Sequence, residues 1–140
     1  KHLILLRGVP GAGKTTTSKL FLGCPFCDEW GDDTITVAAD DYMVDEDGNY
    51  EYDFNKLKEC HKMCQDQVRD SFKYFNRVIV HNTFCDEWEM DAYYKIAEEV
   101  GDCRVHSMIV ENRHGSKNIH DVPDDKIEMM KTKLMDNIKL

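Results

Sequence analysis

Short apolar runs alternate with helical patterns along the chain, and this alternation sets the expected elements. Leu3-Ile4-Leu5-Leu6 is apolar without interruption, as expected for a strand covered on both faces of a parallel sheet. Gly8 to Gly13 reads as a loop, and a helix is expected from Lys14 to about Leu22. Thr34–Ala39 gives a second strand. Asp53 is placed to cap a long helix reaching about Phe75, with Leu57, Met63, Val68 and Phe72 as its apolar positions. Arg77–His81 is a third strand centred on Val78-Ile79-Val80. Asp86 caps a helix carrying Met90, Tyr93, Tyr94 and Ala97, which Trp88 and Met90 are expected to dock onto the sheet. Cys103–Val110 is a fourth strand, and Asp124 opens a last helix carrying Ile127, Met130, Leu134 and Ile138.

Strands separated by helices of this length predict an α/β fold with a mainly parallel central sheet. No linker, low-complexity tract or repeat interrupts the 140 residues, so one domain over 1–140 is expected. Apolar residues at 41% and charged residues at 32% fit a globular chain. Eighteen Lys and Arg against 27 Asp and Glu give a net charge of −9, which argues against a general nucleic-acid coat or a membrane-surface binder. It leaves room for a small, locally positive site. The run Leu3 to Leu6 is far too short to span a bilayer, and no secretory signal pattern is visible. No membrane partner is expected, and the expected location is intracellular, with nothing to separate cytoplasm from nucleus. The chain lacks an initiator Met, which leaves room for a neighbouring domain in a longer protein.

The strongest chemical signal follows the first strand. Gly8-Val9-Pro10-Gly11-Ala12-Gly13-Lys14-Thr15 matches G-x-x-x-x-G-K-[ST] in full, between a predicted strand and a predicted helix. Glycines there let successive backbone N–H groups converge on phosphate oxygens, and the helix start adds partial positive charge. The expected nucleotide-binding set is Gly8, Pro10, Gly11, Ala12, Gly13, Lys14, Thr15 and Thr16. Lys14 reaches the β- and γ-phosphates of ATP, and Thr15 offers its hydroxyl to Mg²⁺. No Asn-Lys-x-Asp segment for guanine occurs, and the chain is small for a motor ATPase. A compact phosphotransferase with a P-loop NTPase-like, three-layer sandwich fold is the expectation.

Charge is distributed unevenly. Residues 1–20 hold Lys1, Arg7, Lys14 and Lys19 with no acid, whereas eleven acids and no Lys or Arg lie between Asp28 and Asn55. Asp40 and Asp41 fall just beyond the second strand, at the edge of an open α/β sheet that faces the ligand crevice. Asp40 is assigned as the base for an attacking hydroxyl and Asp41, with Thr15, to the metal side. Six cysteines include the pairs Cys24/Cys27 and Cys60/Cys64. Cys60 and Cys64, one helical turn apart, read as small buried hydrophobes rather than zinc ligands. Tyr50, Tyr52, Tyr74 and Trp30 could stack on bases, but aromatics at this frequency are more often core or sheet-edge residues.

These segments taken together resemble a known family. The phosphate loop, Ala39-Asp40-Asp41-Tyr42, and Tyr50-x-Tyr52-Asp53-Phe54 followed by His61 occur in order. They precede Val78-Ile79-Val80-His81-Asn82-Thr83, Trp88-Glu89-Met90 and Asn118-Ile119-His120-Asp121-Val122-Pro123. The pattern is similar to AAA_33-type P-loop kinases, which include the kinase domains of polynucleotide 5′-hydroxyl kinases. The resemblance implies Asp40 as general base, Lys14 on phosphate, Thr15 on metal, and a short lid whose basic residue is Lys117. Arg113, a little upstream, is placed to share the clamping. Three departures stand out: Met43 where related nucleic-acid kinases carry an Arg, His81 and Phe84 in a segment that usually reads Asp-Asn-Thr-Asn, and a lid reduced to Glu111–Ser116.

The expected function is therefore transfer of the γ-phosphate of ATP, or another nucleoside triphosphate, to the 5′-hydroxyl of a nucleic-acid end. Arg7, Arg113 and Lys117 are the cations available for its phosphates. The alternatives are a kinase for a small hydroxyl acceptor or nucleoside, and a nucleotide-binding module without transfer activity.

Overall fold

The computed structural model of the chain describes residues 1–22 and 33–140. Four strands form one sheet: β1 (His2–Arg7), β2 (Thr34–Val37), β3 (Arg77–His81) and β4 (Arg104–Ile109). Their order is β2-β3-β1-β4, and every pairing is parallel. The α-helices are α1 (Lys14–Lys19), α2 (Leu57–Ser71), α3 (Asp91–Val100) and α4 (Asp124–Asp136). This is the three-layer α/β architecture expected from the strand–helix alternation.

The two faces of β1 explain its uninterrupted apolar run. Leu3 and Leu5 join Val37, Val78 and Val80 under α2 and α3, where Cys64, Val68, Phe72, Tyr93 and Ile96 complete the main core. Ile4 and Leu6 turn to the other face with Ile79, where Phe21 and Val110 pack on them. Burying each such aliphatic side chain contributes about 1.5–3 kcal/mol. Phe84 meets Tyr93 edge-on, with ring centroids 5.3 Å apart and planes at 84°. At the sheet edge, β4 stays largely exposed along its length.

Several element ends differ from the sequence expectation, and most of the differences are 3-10 turns. The second strand stops at Val37, and Ala39–Tyr42 winds into a 3-10 turn that places Asp40 and Asp41 directly after the strand. Asp53 caps a 3-10 turn, Phe54–Lys56, through its bond from the Asn55 N–H at 2.8 Å, and α2 starts only at Leu57. Another 3-10 turn, Glu87–Met90, precedes α3. Asp86 is its N-cap residue, and the Asp86 N–H donates to the Glu89 carboxylate at 2.9 Å. Regular helix in α1 ends at Lys19, shorter than expected, after a run of three β-branched threonines that lose rotamer freedom in a helix.

Two packing expectations are corrected. Met90 is buried as predicted, but Trp88 is 69% exposed and docks nothing. Met129 and Met135, expected with Met130 to serve helix packing, are also exposed on α4, whereas Leu134 is buried. Cys60 and Cys64 lie buried on α2, as their reading as small hydrophobes required. Cys24, Cys27 and Trp30 lie outside the described residues.

Candidate functional site

Three strand ends meet at one edge of the sheet. β1 runs into the phosphate loop, β2 into the turn holding Asp40 and Asp41, and β3 into His81, Asn82 and Thr83. The loop is built on glycine where no other residue fits. Gly11 and Gly13 have φ of 81° and 93°, which side chains rarely adopt. A Cβ on Gly8 would sit 2.8 Å from the Val110 carbonyl oxygen, so the loop's first residue lies tight against the exit of β4.

Lys14 curls over this loop. Its Nζ donates to the carbonyl oxygens of Gly8 at 2.8 Å and Val9 at 3.1 Å. Burial pulls the lysine pKa from its ordinary 10.5 down to about 8, with the charge of Asp40 opposing the shift. Thr15 and Thr16 stay exposed at the first turn of α1, where backbone N–H groups lack intrahelical partners. Among the loop residues, Val9 and Ala12 are buried as its packing side.

The acidic turn is held by its neighbours on both sides. Asp41 accepts the Ala38 N–H through Oδ2 at 3.0 Å and is otherwise exposed. Asn82 is buried and accepts the Ala39 N–H at 2.9 Å. Its amide donates in turn to the Tyr93 hydroxyl at 3.3 Å, and that hydroxyl donates to Cys64 Sγ at 3.3 Å. Burial lowers the His81 pKa, against the pull of Asp41, so the ring is neutral beside Lys14 and the two aspartates. Asp40 itself is exposed, with its Oδ2 3.8 Å from His120 Nε2. His120 packs on Tyr50, their ring centroids 4.3 Å apart.

The segment after β4 lies across the phosphate loop. The His114 Nε2 is 3.3 Å from the Ala12 carbonyl, and the Ser116 N–H donates to His114 Nδ1 at 3.1 Å. With Nδ1 accepting, Nε2 carries the proton and donates to Ala12. A Cβ on Gly13 would stand 3.0 Å from His114 Nε2, and one on Gly11 would stand 2.8 Å from Asn118 Cα. Asn118 closes its own loop, accepting the Val122 N–H at 2.9 Å. Arg113 is exposed and pairs with Glu111 through Nε, and Lys117 is an exposed lysine three residues from His114. Both predicted lid cations therefore lie in the segment that crosses the loop, while the side chain touching the loop is His114.

One residue corrects the sequence reading, and a second accounts for a departure from the family pattern. Arg7 is 4% exposed; its Nε donates to the Phe84 carbonyl at 3.0 Å and its other nitrogens to the Asn137 carbonyl at 3.3 Å. It fastens the chain ends near the site and is not available to a nucleic-acid phosphate. Met43 is also buried, its sulfur facing the Asp53 N–H at 3.4 Å and Cys60 at 4.0 Å. The position at which the resemblance would place an Arg is here part of the packing beneath the turn. Phe84, which with His81 makes the second departure from the family pattern, adopts φ 46°, a left-handed conformation that costs a bulky residue about 1–2 kcal/mol. Its buried ring and the Arg7 bond to its carbonyl hold it there.

The AAA_33 family, an AAA domain, matches residues 3–134. The chain belongs to that family. A curated relative, NEDD4-binding protein 2 of Homo sapiens, is 30% identical over 98 residues, which is 69% of this chain and 5% of that protein. The AAA_33 domain thus spans a small part of that relative's length. Among solved structures, a chain of the Pnkp1/Rnl/Hen1 RNA repair complex superposes with a TM-score of 0.68 at 20% identity, covering 96% of this chain and 44% of the other. A mutant APS kinase CysC of Mycobacterium tuberculosis superposes with a TM-score of 0.53 at 10% identity, covering 96% of both chains. At these identities the likeness establishes the fold.

The residues of this AAA_33 domain fit a nucleoside triphosphate. The positive-φ glycines form a cradle, a lysine of lowered pKa stands over it, and hydroxyls of Thr15 and Thr16 open beside it. No group of three or more His, Cys, Asp or Glu poised for a metal occurs among the described residues. Mg²⁺ at a phosphate site needs few protein ligands, because phosphate oxygens and waters fill most of its shell. Thr15 and Asp41, the two residues predicted for it, both remain exposed.

Proposed function

We propose that this AAA_33 domain is an ATP-dependent kinase that transfers the γ-phosphate to the 5′-hydroxyl of a polynucleotide end. The observation that carries the reading is the meeting of the phosphate loop with an exposed carboxylate, Asp40, at one sheet edge, close enough for Asp40 to act on Lys14's charge.

In this mechanism ATP is the phosphoryl donor, and Mg²⁺ bound with it would neutralise phosphate charge. Lys14 leaves the carbonyls of Gly8 and Val9 and donates to phosphate oxygens, where its ammonium is stabilised and its pKa returns upward. Thr15 and Asp41 hold the metal side. Asp40 orients the acceptor hydroxyl and takes its proton as that oxygen bonds to the γ-phosphorus, while the bond from the γ-phosphorus to the β,γ-bridging oxygen breaks and ADP leaves. Its contribution is largely positional when the transition state is loose. Neutral His81, within electrostatic reach of the aspartates and Lys14, adds no charge that would compete with either. The lid carries His114 over the loop and brings Arg113 and Lys117 within the same segment to meet charge on the transferring oxygens.

A small hydroxyl acceptor is the second reading. It is favoured by the acids Asp45, Glu46, Asp47 and Glu51 on the chain that follows the Asp40 turn, which disfavour a polyanion. Incubation with γ-labelled ATP, Mg²⁺ and a panel of 5′-OH RNA, 5′-OH DNA, nucleosides and small alcohols separates the readings by which acceptor gains label. Label on none of them, with ATP still bound, overturns the kinase assignment.

A further inference from the structure

The chain leaving the Asp40 turn carries three large aromatic residues in five positions, and none is in the core. Tyr50 is 40% exposed, Tyr52 59% and Phe54 74%. Aromatic side chains bury readily, so three exposed in succession form a surface that needs an explanation. Backbone pairing sets the arrangement. Val44 and Tyr50 form an antiparallel bridge, the Glu51 N–H donates to the Met43 carbonyl at 2.9 Å, and Asp53 is extended before its capping turn. In an extended segment alternate side chains face the same side, so Tyr50 and Tyr52 share one face and Glu51 takes the other. The row begins at the base: His120 approaches Asp40 at 3.8 Å and packs on Tyr50 at 4.3 Å.

We propose that Tyr50, Tyr52 and Phe54 form a stacking shelf for the nucleobases at the 5′ end of a single-stranded acceptor whose 5′-hydroxyl lies at Asp40. The inference rests on the kinase reading above and names the part of the acceptor that the site recognises. Alternate residues of an extended chain are about 6.6 Å apart. A base between two rings needs roughly twice the 3.4 Å step of stacked nucleotides, so the Tyr50–Tyr52 interval accommodates one base. Charge decides between bases and phosphates as the gripped groups. No Lys or Arg occurs from Asp40 to Asn55, and acids crowd the same stretch. Three of these acids serve the local backbone: Asp41 accepts the Ala38 N–H, Asp45 those of Asp47 and Asn49, and Asp53 that of Asn55. The exposed rings of Tyr50 and Tyr52 offer stacking faces while the acids around them repel a phosphate chain, so the surface suits a terminus that enters base-first. It also answers the objection that the net charge raises, because stacking draws little on counterion release.

The test uses a 5′-OH hexanucleotide and a matched one whose 5′-terminal and second sugars are abasic. Transfer KM is measured for both, and binding of each is measured separately by fluorescence anisotropy without Mg²⁺ or ATP. Tyr52→Ala is expected to raise KM for the base-bearing strand about 5- to 100-fold and leave the abasic strand and the ATP KM unchanged. Tyr52→Trp restores the wild-type value. An unchanged KM in Tyr52→Ala, or an equal rise for the abasic strand, overturns the shelf. If wild-type protein labels no acceptor, the kinase reading has failed and the anisotropy decides the shelf alone. Base-dependent binding lost in Tyr52→Ala and regained in Tyr52→Trp then supports it, and base-independent or absent binding overturns it.

Discussion

Replacing Lys14 with Met removes the ammonium while keeping a side chain of similar length. Burial lowers the Lys14 pKa from 10.5 to about 8 in the folded chain. At about 1.36 kcal/mol per unit, keeping it charged at pH 7 costs the fold about 3 kcal/mol. The unfolded lysine holds its proton up to about pH 10.5, whereas the folded one begins to release it near pH 8. Between those values the unfolded state binds more protons, so this group's contribution to stability rises with pH. At pH 7 the Met variant gains the desolvation cost back but leaves the Gly8 and Val9 carbonyls without the Nζ–H donor, a loss of about 1–3 kcal/mol. Those opposing effects nearly cancel at pH 7. The clean signal is the difference in unfolding free energy between wild type and Lys14→Met, measured by urea melts at pH 7, 8.5 and 10. It should move in favour of wild type by about 2–3 kcal/mol over that range, since titrations elsewhere are common to both proteins. Transfer should be abolished in the variant at every pH. A difference that stays flat from pH 7 to pH 10 refutes the buried-ammonium argument, and retained transfer refutes the phosphate role.

Asp40→Asn keeps the shape of the turn and removes the proton acceptor, so transfer should fall about 10²- to 10⁴-fold with little change in ATP affinity. Asp41→Asn should raise the Mg²⁺ concentration needed for half-maximal rate; wild-type transfer in the first variant with loss in the second would assign the base to Asp41. Asn82→Leu leaves the buried Ala39 N–H unpaired and should cost about 1–3 kcal/mol in urea melts, with kcat falling more than ATP affinity as the Asp40 turn loosens. Arg113→Ala and Lys117→Ala should lower single-turnover transfer more than ATP binding, and Arg113→Lys should recover it only in part, since a lysine cannot fork across two oxygens. Equal single-turnover rates in all three lid variants would leave those residues as solvated surface.

Periodicity and motif spacing are local, and what they located is local. The apolar run of β1, the apolar centre of β3 and the phosphate loop between strand and helix are where the sequence placed them. Strand and helix ends were less legible, because the 3-10 turns at Ala39–Tyr42, Phe54–Lys56 and Glu87–Met90 have no hydrophobic period of their own. Arg7 looked like a free cation because its partners, Phe84 and Asn137, are distant in sequence. Trp88 looked like core because size alone suggests burial, yet the turn it sits on aims it outward. His114 carried no motif signal. Its role depends on how closely the segment after β4 passes over Gly13, which only the sheet order decides. Asn82 stood inside a recognised segment, but nothing in the spacing announces that its amide would reach across to the backbone of Ala39.

That reach links the two halves of the site. Asn82 and Thr83 are consecutive residues at the end of β3. The Asn82 side chain accepts the Ala39 N–H, and the Thr83 carbonyl accepts the Gly8 N–H at 3.0 Å. One short piece of backbone thus fastens the turn bearing Asp40 and the first residue of the phosphate loop. Phosphoryl transfer depends on holding donor and acceptor within about 3–3.5 Å in line, and small displacements are costly. A loop and a turn tied only to their own strands could drift independently, since each lies at the mobile end of its element. Joined through β3, which lies between β2 and β1 in the sheet, they are anchored to one common element. Phe84 and Arg7 complete the joint: the left-handed turn at Phe84 ends the segment and presents its carbonyl to the Arg7 guanidinium, on the strand that leads into the loop. The strain at Phe84 and the burial of Arg7 are therefore part of the same construction that sets the distance between Lys14 and Asp40.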